Sequence, residues 1–141
     1  GGWIQAALDT NTGLKRVYLA GPPCMEAEAD GNRVVGINEE ELKVPGCISR
    51  HMEDSGLPLY ISLDKDILNR SCAVTNWDQG ETQLEDVLAC IKEAASCRGI
   101  IGVDVCGEDP EQEGIRASQI NQNTNREIIC KLMEVCGILC P

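Results

Sequence analysis

Aromatic residues are scarce in this sequence, which has 141 residues, no phenylalanine and only 3% aromatic residues in all. Its core therefore has to be built from isoleucine, leucine, valine, alanine and cysteine. The length is that of one ordinary domain, in which roughly two thirds of the surface of the unfolded chain becomes buried. We therefore expect one aliphatic core, without a repeat or linker that would divide the chain.

Basic residues are also few, with 12 lysines and arginines against 23 aspartates and glutamates, for a formal net charge of −11. A surface of this charge repels phosphate backbones and anionic lipid head groups, so nucleic acids and membrane surfaces are not expected as partners. An acidic balance suits a cationic substrate or a metal ion, and it equally suits a solvated surface that only aids solubility. Net charge alone does not decide between them.

The sequence has no apolar run near the roughly 18 residues of a membrane span and no basic-then-apolar leader. It also lacks a C-x-x-C pair, and its nine cysteines are odd in number. A disulfide scaffold is normally shorter and has an even count, so these patterns predict reduced thiols that serve mainly as packing residues. We accordingly expect a cytoplasmic protein.

Hydrophobic spacing predicts alternating helices and strands. A short helix is expected from Trp3, and Thr82 with Glu85 forms a T-x-x-E capping box that predicts a helix after it. Compact apolar runs predict the strands, and a last long helix follows them; 33–37 is predicted only as a minor strand, and the two later strands are apolar on both faces. The predicted strands are 16–20, 33–37, 57–63 and 99–105, and the last helix is 118–136. The sequence thus predicts an α/β fold in which a strand, a helix and a strand cross over into one parallel sheet.

Polar side chains gather where two of these strands end. Ser62, Asp64 and Asp66 share one face if their strand continues through them, because residues two apart in a strand point the same way. The next strand brings Asp104 and Glu108 to the same edge, where parallel sheets place their ligand sites. Hard carboxylate oxygens favour Mg²⁺ or Mn²⁺. We therefore predict Asp64 and Asp66 as metal ligands.

An alternative without metal explains the same residues. Carboxylates after a strand are ordinary turn formers, so Asp66 could cap a turn with Lys65 as its ion-pair partner. Asp104 would then satisfy backbone donors at the end of its strand. The pattern by itself leaves both interpretations open.

The segment Tyr60-Ile-Ser-Leu-Asp-Lys-Asp-Ile-Leu68 resembles the S-x-D-x-D signature of the ureohydrolase superfamily, which contains the arginases, agmatinases and formimidoylglutamases. A later strand, Ile101-Gly-Val-Asp-Val105, and Pro110 stand in the order and spacing of that family. The resemblance runs from about residue 58 to residue 110. It implies a three-layer α/β/α domain with a mainly parallel sheet, of which residues 1–141 are the whole or the carboxyl-terminal part.

The resemblance also implies a function. Family members use two Mn²⁺ ions to hydrolyse a guanidino- or formimino-type carbon–nitrogen bond of a small cationic substrate. The residue that matches Asp64 bridges both ions, and the one that matches Asp66 binds one of them. The family's substrate-contacting acid falls at Gly107, so we assign substrate binding to the neighbouring Glu108. No catalytic acid or base is assigned, and a homo-oligomer is compatible with the sequence.

Two other family motifs, G-G-D-H and D-A-H-x-D, are absent, and Thr75-Asn-Trp-Asp-Gln79 replaces a Gly- and Pro-rich loop. We expect these 141 residues to begin partway through a longer polypeptide that supplies the remaining ligands.

Two alternatives are a non-catalytic ureohydrolase-like module for binding or assembly, and an unrelated α/β domain that binds Mg²⁺ and a phosphoryl group. The second lacks a phosphate-binding Gly-rich loop.

Overall fold

The structure of the chain is a computed structural model, and it describes residues 3–21, 33–52, 56–109 and 114–138. Within these ranges no helix is long and apolar enough to cross a membrane. Helices and strands alternate along most of the chain, as an α/β fold requires. In chain order they are α1 (Trp3–Thr10), β1 (Val17–Gly21), β2 (Val34–Asn38), α2 (Glu39–Leu42), α3 (Cys47–His51), β3 (Leu59–Asp64), a 3₁₀ turn (Lys65–Ile67), α4 (Leu84–Cys97), β4 (Ile100–Cys106) and α5 (Ile115–Val135).

The strands form two parallel pairs. β1 pairs with β2 from Val17 opposite Val34 onward, and β3 pairs with β4 so that Ser62 lies opposite Asp104. The unit β3–α4–β4 therefore confirms the predicted strand, helix and strand with parallel pairing. The predicted single sheet is replaced, over the residues described, by two separate two-stranded sheets.

The core is aliphatic, as the lack of phenylalanine predicts, but it is divided into three clusters. The largest packs α4 and α5 against the end of β3, a second packs β2, α2 and α3 against α4, and a small third cluster lies between α1 and β2. Their buried residues are Leu63, Leu68, Ala73, Leu84, Val87, Ile91 and Ile128; Ile37, Leu42, Cys47, Ile48 and Ala94; and Ile4, Leu8 and Val34.

Burial alternates along β3. Ile61 and Leu63 pack into the largest cluster, whereas Tyr60, Ser62 and Asp64 are exposed. The prediction that this strand is buried on both faces is wrong, because the described residues cover only one face of the β3–β4 pair. On the open face the Tyr60 ring lies over Gly102, where a Cβ would come within 2.6 Å of the ring carbon Cε2. A glycine therefore leaves room for the aromatic ring.

The start of α4 corrects the capping-box prediction. The helix begins at Leu84 with Gln83 as its N-cap, and no side chain caps it. Thr82 lies one residue earlier, is fully buried, and pairs with Leu68 in an isolated parallel bridge. Its hydroxyl has no hydrogen-bond partner among the described residues. Thr82, the first residue of the T-x-x-E pattern, therefore lies where two segments of the chain pair in the interior, and it does not cap α4.

Six cysteines of the described ranges are free thiols, which agrees with the predicted reduced state, whereas Cys130 is disulfide-bonded and contradicts it. The sulfurs of Cys47 and Cys90 lie 3.9 Å apart between α3 and α4. Burial, followed by the neighbouring Cys47, raises the pKa of the Cys90 thiol to about 12. Both side chains therefore act as uncharged packing residues.

Replacing Thr82 by valine tests its place in the fold. Valine keeps the shape and removes a buried hydroxyl that has no partner, so we expect Thr82→Val to be neutral or to stabilise the protein by about 1 kcal/mol. A capping role would instead make the change destabilising by roughly 1 kcal/mol. Chemical denaturation measures the difference.

Thr124→Val is the matched control for that measurement. Thr124 is also buried, but its hydroxyl donates to the carbonyl of Cys72. We expect its replacement to lower the free energy of unfolding by about 1–2 kcal/mol, because a buried carbonyl loses its donor. Equal losses in both variants would contradict the assignment.

Candidate functional site

The strand that carries the predicted ligands ends at Asp64. Lys65, Asp66 and Ile67 form a 3₁₀ turn, so the condition that one strand face holds Ser62, Asp64 and Asp66 is not met. Asp64 is the N-cap of this turn, and its Oδ1 accepts a hydrogen bond of 3.1 Å from the Asp66 backbone N–H. Asp64 and Asp66 thus stay adjacent at the carboxyl end of β3 through the cap.

Asp66 carries the clearest polar anomaly of this edge. Its Oδ1 is buried and accepts no hydrogen bond from the residues that the structure describes. Its backbone carbonyl is occupied, because it accepts a 2.7 Å hydrogen bond from the Gly80 N–H. A buried carboxylate oxygen without a donor is costly unless a cation or a proton compensates it. This oxygen therefore fits a metal ligand better than a solvated turn residue.

Lys65, which separates the two aspartates, points away from them into the protein. Its side chain is 1% exposed, and its ammonium group donates to Glu108 Oε1 and, over 3.1 Å, to Asn125 Oδ1. Asn125 Nδ2 donates to the same Glu108 oxygen over 2.6 Å. The alternative in which Lys65 pairs with Asp66 is therefore wrong: the lysine joins the 3₁₀ turn to the β4–α5 loop and to α5.

Glu108 is held on the α5 side of the sheet by these contacts. The hydrogen bond from Lys65, followed by that from Asn125, lowers the pKa of the Glu108 carboxyl below its ordinary value. Both donors use Oε1, and the side chain is 43% exposed. The predicted role of Glu108 in substrate binding would therefore depend on its second oxygen.

Gly107 brings the end of β4 into close contact with the turn after β3. Its φ is +89°, and a Cβ there would lie 2.8 Å from the backbone nitrogen of Lys65 and would overlap Asp64 Oδ1. The space that an acidic side chain would need at this position is filled by the capped turn. The glycine at this place of the resemblance is thus a requirement of the local packing.

Asp104 binds side chains on the open sheet face. Its Oδ2 accepts a 3.0 Å hydrogen bond from the Ser62 hydroxyl, directly across the strand pair. Its carboxylate also accepts a hydrogen bond from Tyr60, and this contact raises the pKa of the phenol. Burial, followed by the charge of Asp64, raises the pKa of the Cys106 thiol. Asp104 thus links side chains across the two strands, whereas the alternative without metal predicted backbone donors as its partners.

The donor set at this edge is incomplete for a metal ion. Among the described residues, no group of three or more histidine, cysteine, aspartate or glutamate side chains could hold one. Asp64 and Asp66 offer hard carboxylate oxygens, which suit Mg²⁺ and Mn²⁺. A complete site would need donors beyond these two carboxylates.

The sequence analysis did not identify a group of polar side chains, on α5 and in the loop after the 3₁₀ turn, that bind backbone groups of this loop. Asn121 and Thr124 are buried on α5, although the sequence predicts only the apolar residues of that helix as inward-facing. The signal available was the run Asn121-Gln-Asn-Thr-Asn125 in the middle of a helix, where such residues are unfavourable unless they bind a backbone. They bind backbone groups of the loop 69–83.

Comparison with known proteins adds one relative. An uncharacterised protein of Thermotoga maritima is 29% identical to this chain over 130 residues, which cover 92% of the chain and 48% of the relative. The chain thus spans about half the length of the curated relative that it matches. No family model and no solved structure matches the chain. The resemblance to the ureohydrolases therefore stays a prediction.

Replacing Gly107 by alanine tests the contact of the two strand ends. We expect Gly107→Ala to destabilise the protein by about 2 kcal/mol or more, because the new Cβ meets the backbone at Lys65 and the residue must keep a positive φ. Gly99→Ala is the matched control at the other end of β4, where a Cβ meets nothing within 4 Å. Thermal unfolding measures both, and equal effects would contradict the contact.

The ion pair of Lys65 with Glu108 predicts a pH dependence. The folded pKa of the Glu108 carboxyl is lowered, so the contribution of the pair to stability is present above the ordinary glutamate pKa and is lost as the pH falls through the folded pKa. Glu108→Gln should lower the unfolding free energy near pH 7 by about 1–3 kcal/mol, since it leaves the buried ammonium group with only neutral amide oxygens as acceptors. Denaturation at pH 7 and pH 3 should show the difference shrink, and a constant difference would contradict it.

Proposed function

We propose that this chain supplies part of the metal site of a ureohydrolase-like hydrolase that uses Mn²⁺ to cleave a guanidino- or formimino-type carbon–nitrogen bond. The observation that carries the proposal is the buried Asp66 Oδ1, next to Asp64 at the carboxyl end of a parallel strand, which has no hydrogen-bond partner among the residues that the structure describes. The S-x-D-x-D signature at residues 62–66 supports it independently. Two Mn²⁺ ions are expected in the complete, three-layer α/β/α domain.

The chain's own residues have distinct parts in this proposal. Asp66 offers its buried Oδ1, and Asp64 offers a carboxylate whose Oδ1 also caps the turn and which accepts a hydrogen bond from the Cys106 thiol. Lys65 and Asn125 keep Glu108 ionised and oriented, so that its second oxygen can accept a hydrogen bond from a cationic substrate. Divalent ions, when bound, lower the pKa of a water molecule so that hydroxide is available near neutral pH.

The proposal needs further ligands, since the described residues hold no group of three or more suitable side chains. We assign these ligands to a longer polypeptide. The match covers 48% of the Thermotoga maritima relative, so that protein is long enough to hold further ligands outside the matched region. These 141 residues should therefore bind Mn²⁺ weakly and should not turn over substrate. The acidic balance of the sequence suits a cationic substrate and disfavours nucleic-acid and membrane partners, and the six free thiols of the described ranges suit a cytoplasmic setting.

A second candidate function is a non-catalytic module that keeps the fold and serves in binding or assembly, including assembly with a second copy. Two contacts favour it. Gly107 fills the place of the substrate-contacting acid, and Glu108 is committed to Lys65 through one oxygen. The two candidates differ in whether Asp64 and Asp66 bind a metal ion at all.

Mn²⁺ titration followed by electron paramagnetic resonance separates them. We expect the chain to bind Mn²⁺ and both Asp64→Asn and Asp66→Asn to weaken binding by about tenfold or more, because each removes a carboxylate ligand. Asp104→Asn is the matched control, since it removes the same charge from the neighbouring strand and should leave the affinity within about twofold.

The same proposal predicts activity for a longer chain that includes the remaining ligands. Release of urea or ammonia from guanidino and formimino compounds should require Mn²⁺ and be lost in Asp66→Asn. Full activity of the 141 residues alone would reject the shared site. Equal Mn²⁺ affinity of the wild type and the two asparagine variants would reject the hydrolase in favour of the binding module.

A further inference from the structure

The loop from Asn69 to Gln83 is held in one shape by buried polar anchors. Asn121 of α5 pairs with both backbone groups of Val74, accepting from its N–H over 2.9 Å and donating to its carbonyl over 2.8 Å. Gln79 donates from inside the loop to the carbonyls of Leu68 and Ala73 over 3.1 and 3.0 Å. These amides bind backbone groups as a strand would, so the loop is fixed without being part of a sheet.

The loop is also closed at its base, next to the predicted metal ligands. The Asn69 N–H donates to the Thr82 carbonyl over 3.0 Å, and the Gly80 N–H donates to the Asp66 carbonyl. A Cβ at Gly80 would lie 2.5 Å from the Ile67 carbonyl oxygen, so the returning chain lies directly against the 3₁₀ turn. The tip of the loop is therefore tied to the same edge as Asp66.

Trp77 stands at that tip with its side chain in solvent. It is 75% exposed, although the backbone on either side of the tip is anchored. A rigid loop that carries a large exposed aromatic side chain is a feature typical of binding sites, because the entropy of ordering the backbone is already lost before a ligand arrives. The ring itself is the strongest cation acceptor among the aromatic side chains.

The charges around this tip are negative. Asp78 follows Trp77 directly and Glu81 lies three residues beyond Asp78, and both are exposed. The three residues from Trp77 to Gly80 span at most roughly 11 Å, so the indole lies within reach of a ligand held near Asp66. The one basic residue of the loop, Arg70, is at its base, where the neighbouring Asn69 N–H donates to the Thr82 carbonyl. The tip with Trp77 and Asp78 is therefore complementary to a cation.

We propose that Trp77 forms one wall of a binding site for a planar cation of the guanidinium class, which stacks on the indole and is paired by Asp78. The choice of a guanidinium rests on the proposed function, whereas the attraction of a cation rests on the exposed indole and the flanking acids alone. Trp77 is thus a specificity-determining residue, because its indole ring favours substrates that are planar and positively charged. Trp77 and Asp78 belong to Thr75-Asn-Trp-Asp-Gln79, the segment that replaces the Gly- and Pro-rich loop of the family.

Tryptophan fluorescence reports this site selectively, because the sequence has two tryptophans and Trp3, 62% exposed on α1, is the other. In a Trp3→Phe variant Trp77 is the sole reporter, and in Trp77→Phe Trp3 is the matched control. Each is titrated without metal at constant ionic strength with L-arginine and with L-citrulline, its neutral analogue of nearly the same shape. Two-dimensional NMR of both indole N–H groups in the wild type gives the same readout without a variant.

Arginine should change the Trp77 signal saturably, citrulline should not, and neither should saturate the Trp3 signal. Asp78→Asn in the Trp3→Phe background should weaken the arginine response by about threefold, and added salt should weaken it further. Equal responses to arginine and citrulline, or equal responses of Trp77 and Trp3, would overturn the site. Arginine selectivity without Mn²⁺ binding would support this site while rejecting the hydrolase, and Mn²⁺ binding without arginine selectivity would do the reverse.

Discussion

A buried ammonium group holds three parts of this chain together. Lys65 lies at the end of β3 with almost no exposure to solvent, and a charge in that position has to be paired. Its partners come from two other parts of the chain, the β4–α5 loop and the middle of α5. The turn that carries Asp64 and Asp66, the end of β4 and the long last helix are therefore fixed relative to one another through one cation.

The second constraint is close backbone packing at glycines. Gly107 lets the end of β4 touch the capped turn, and Gly80 lets the returning loop touch the same turn from another direction. Neither contact leaves space for a Cβ, so the turn is surrounded by backbone on both sides. This confinement explains why a carboxylate oxygen of Asp66 is buried although the residue follows a strand directly. A fixed carboxylate oxygen without a donor among the described residues is a feature that the proposed metal site would explain.

The open face of the β3–β4 pair contrasts with this packed edge. Parallel strands are normally covered on both faces, yet Tyr60, Ser62 and Asp104 lie on a face that the described residues leave in solvent. These side chains bind one another across the strands, which satisfies their polar groups without a cover. The proposed larger domain would supply the third layer on this face, and the match to about half of its relative is compatible with that arrangement.

The sequence by itself determined α1, α4, α5, the four strands, the parallel β3–α4–β4 unit and the aliphatic composition of the core, because hydrophobic spacing and residue type are local properties. It did not predict the short helices α2 and α3, nor the separation of the described strands into two sheets. It could not determine that Thr82 is buried away from a helix cap, that Lys65 pairs with Glu108, or that Asn121 and Gln79 hold the loop of Trp77. Each of these depends on which segments meet, and the partners of Lys65 and Asn121 lie more than 40 residues away along the chain. Tertiary structure decided them because a buried polar group takes whatever donor or acceptor the packing brings to it.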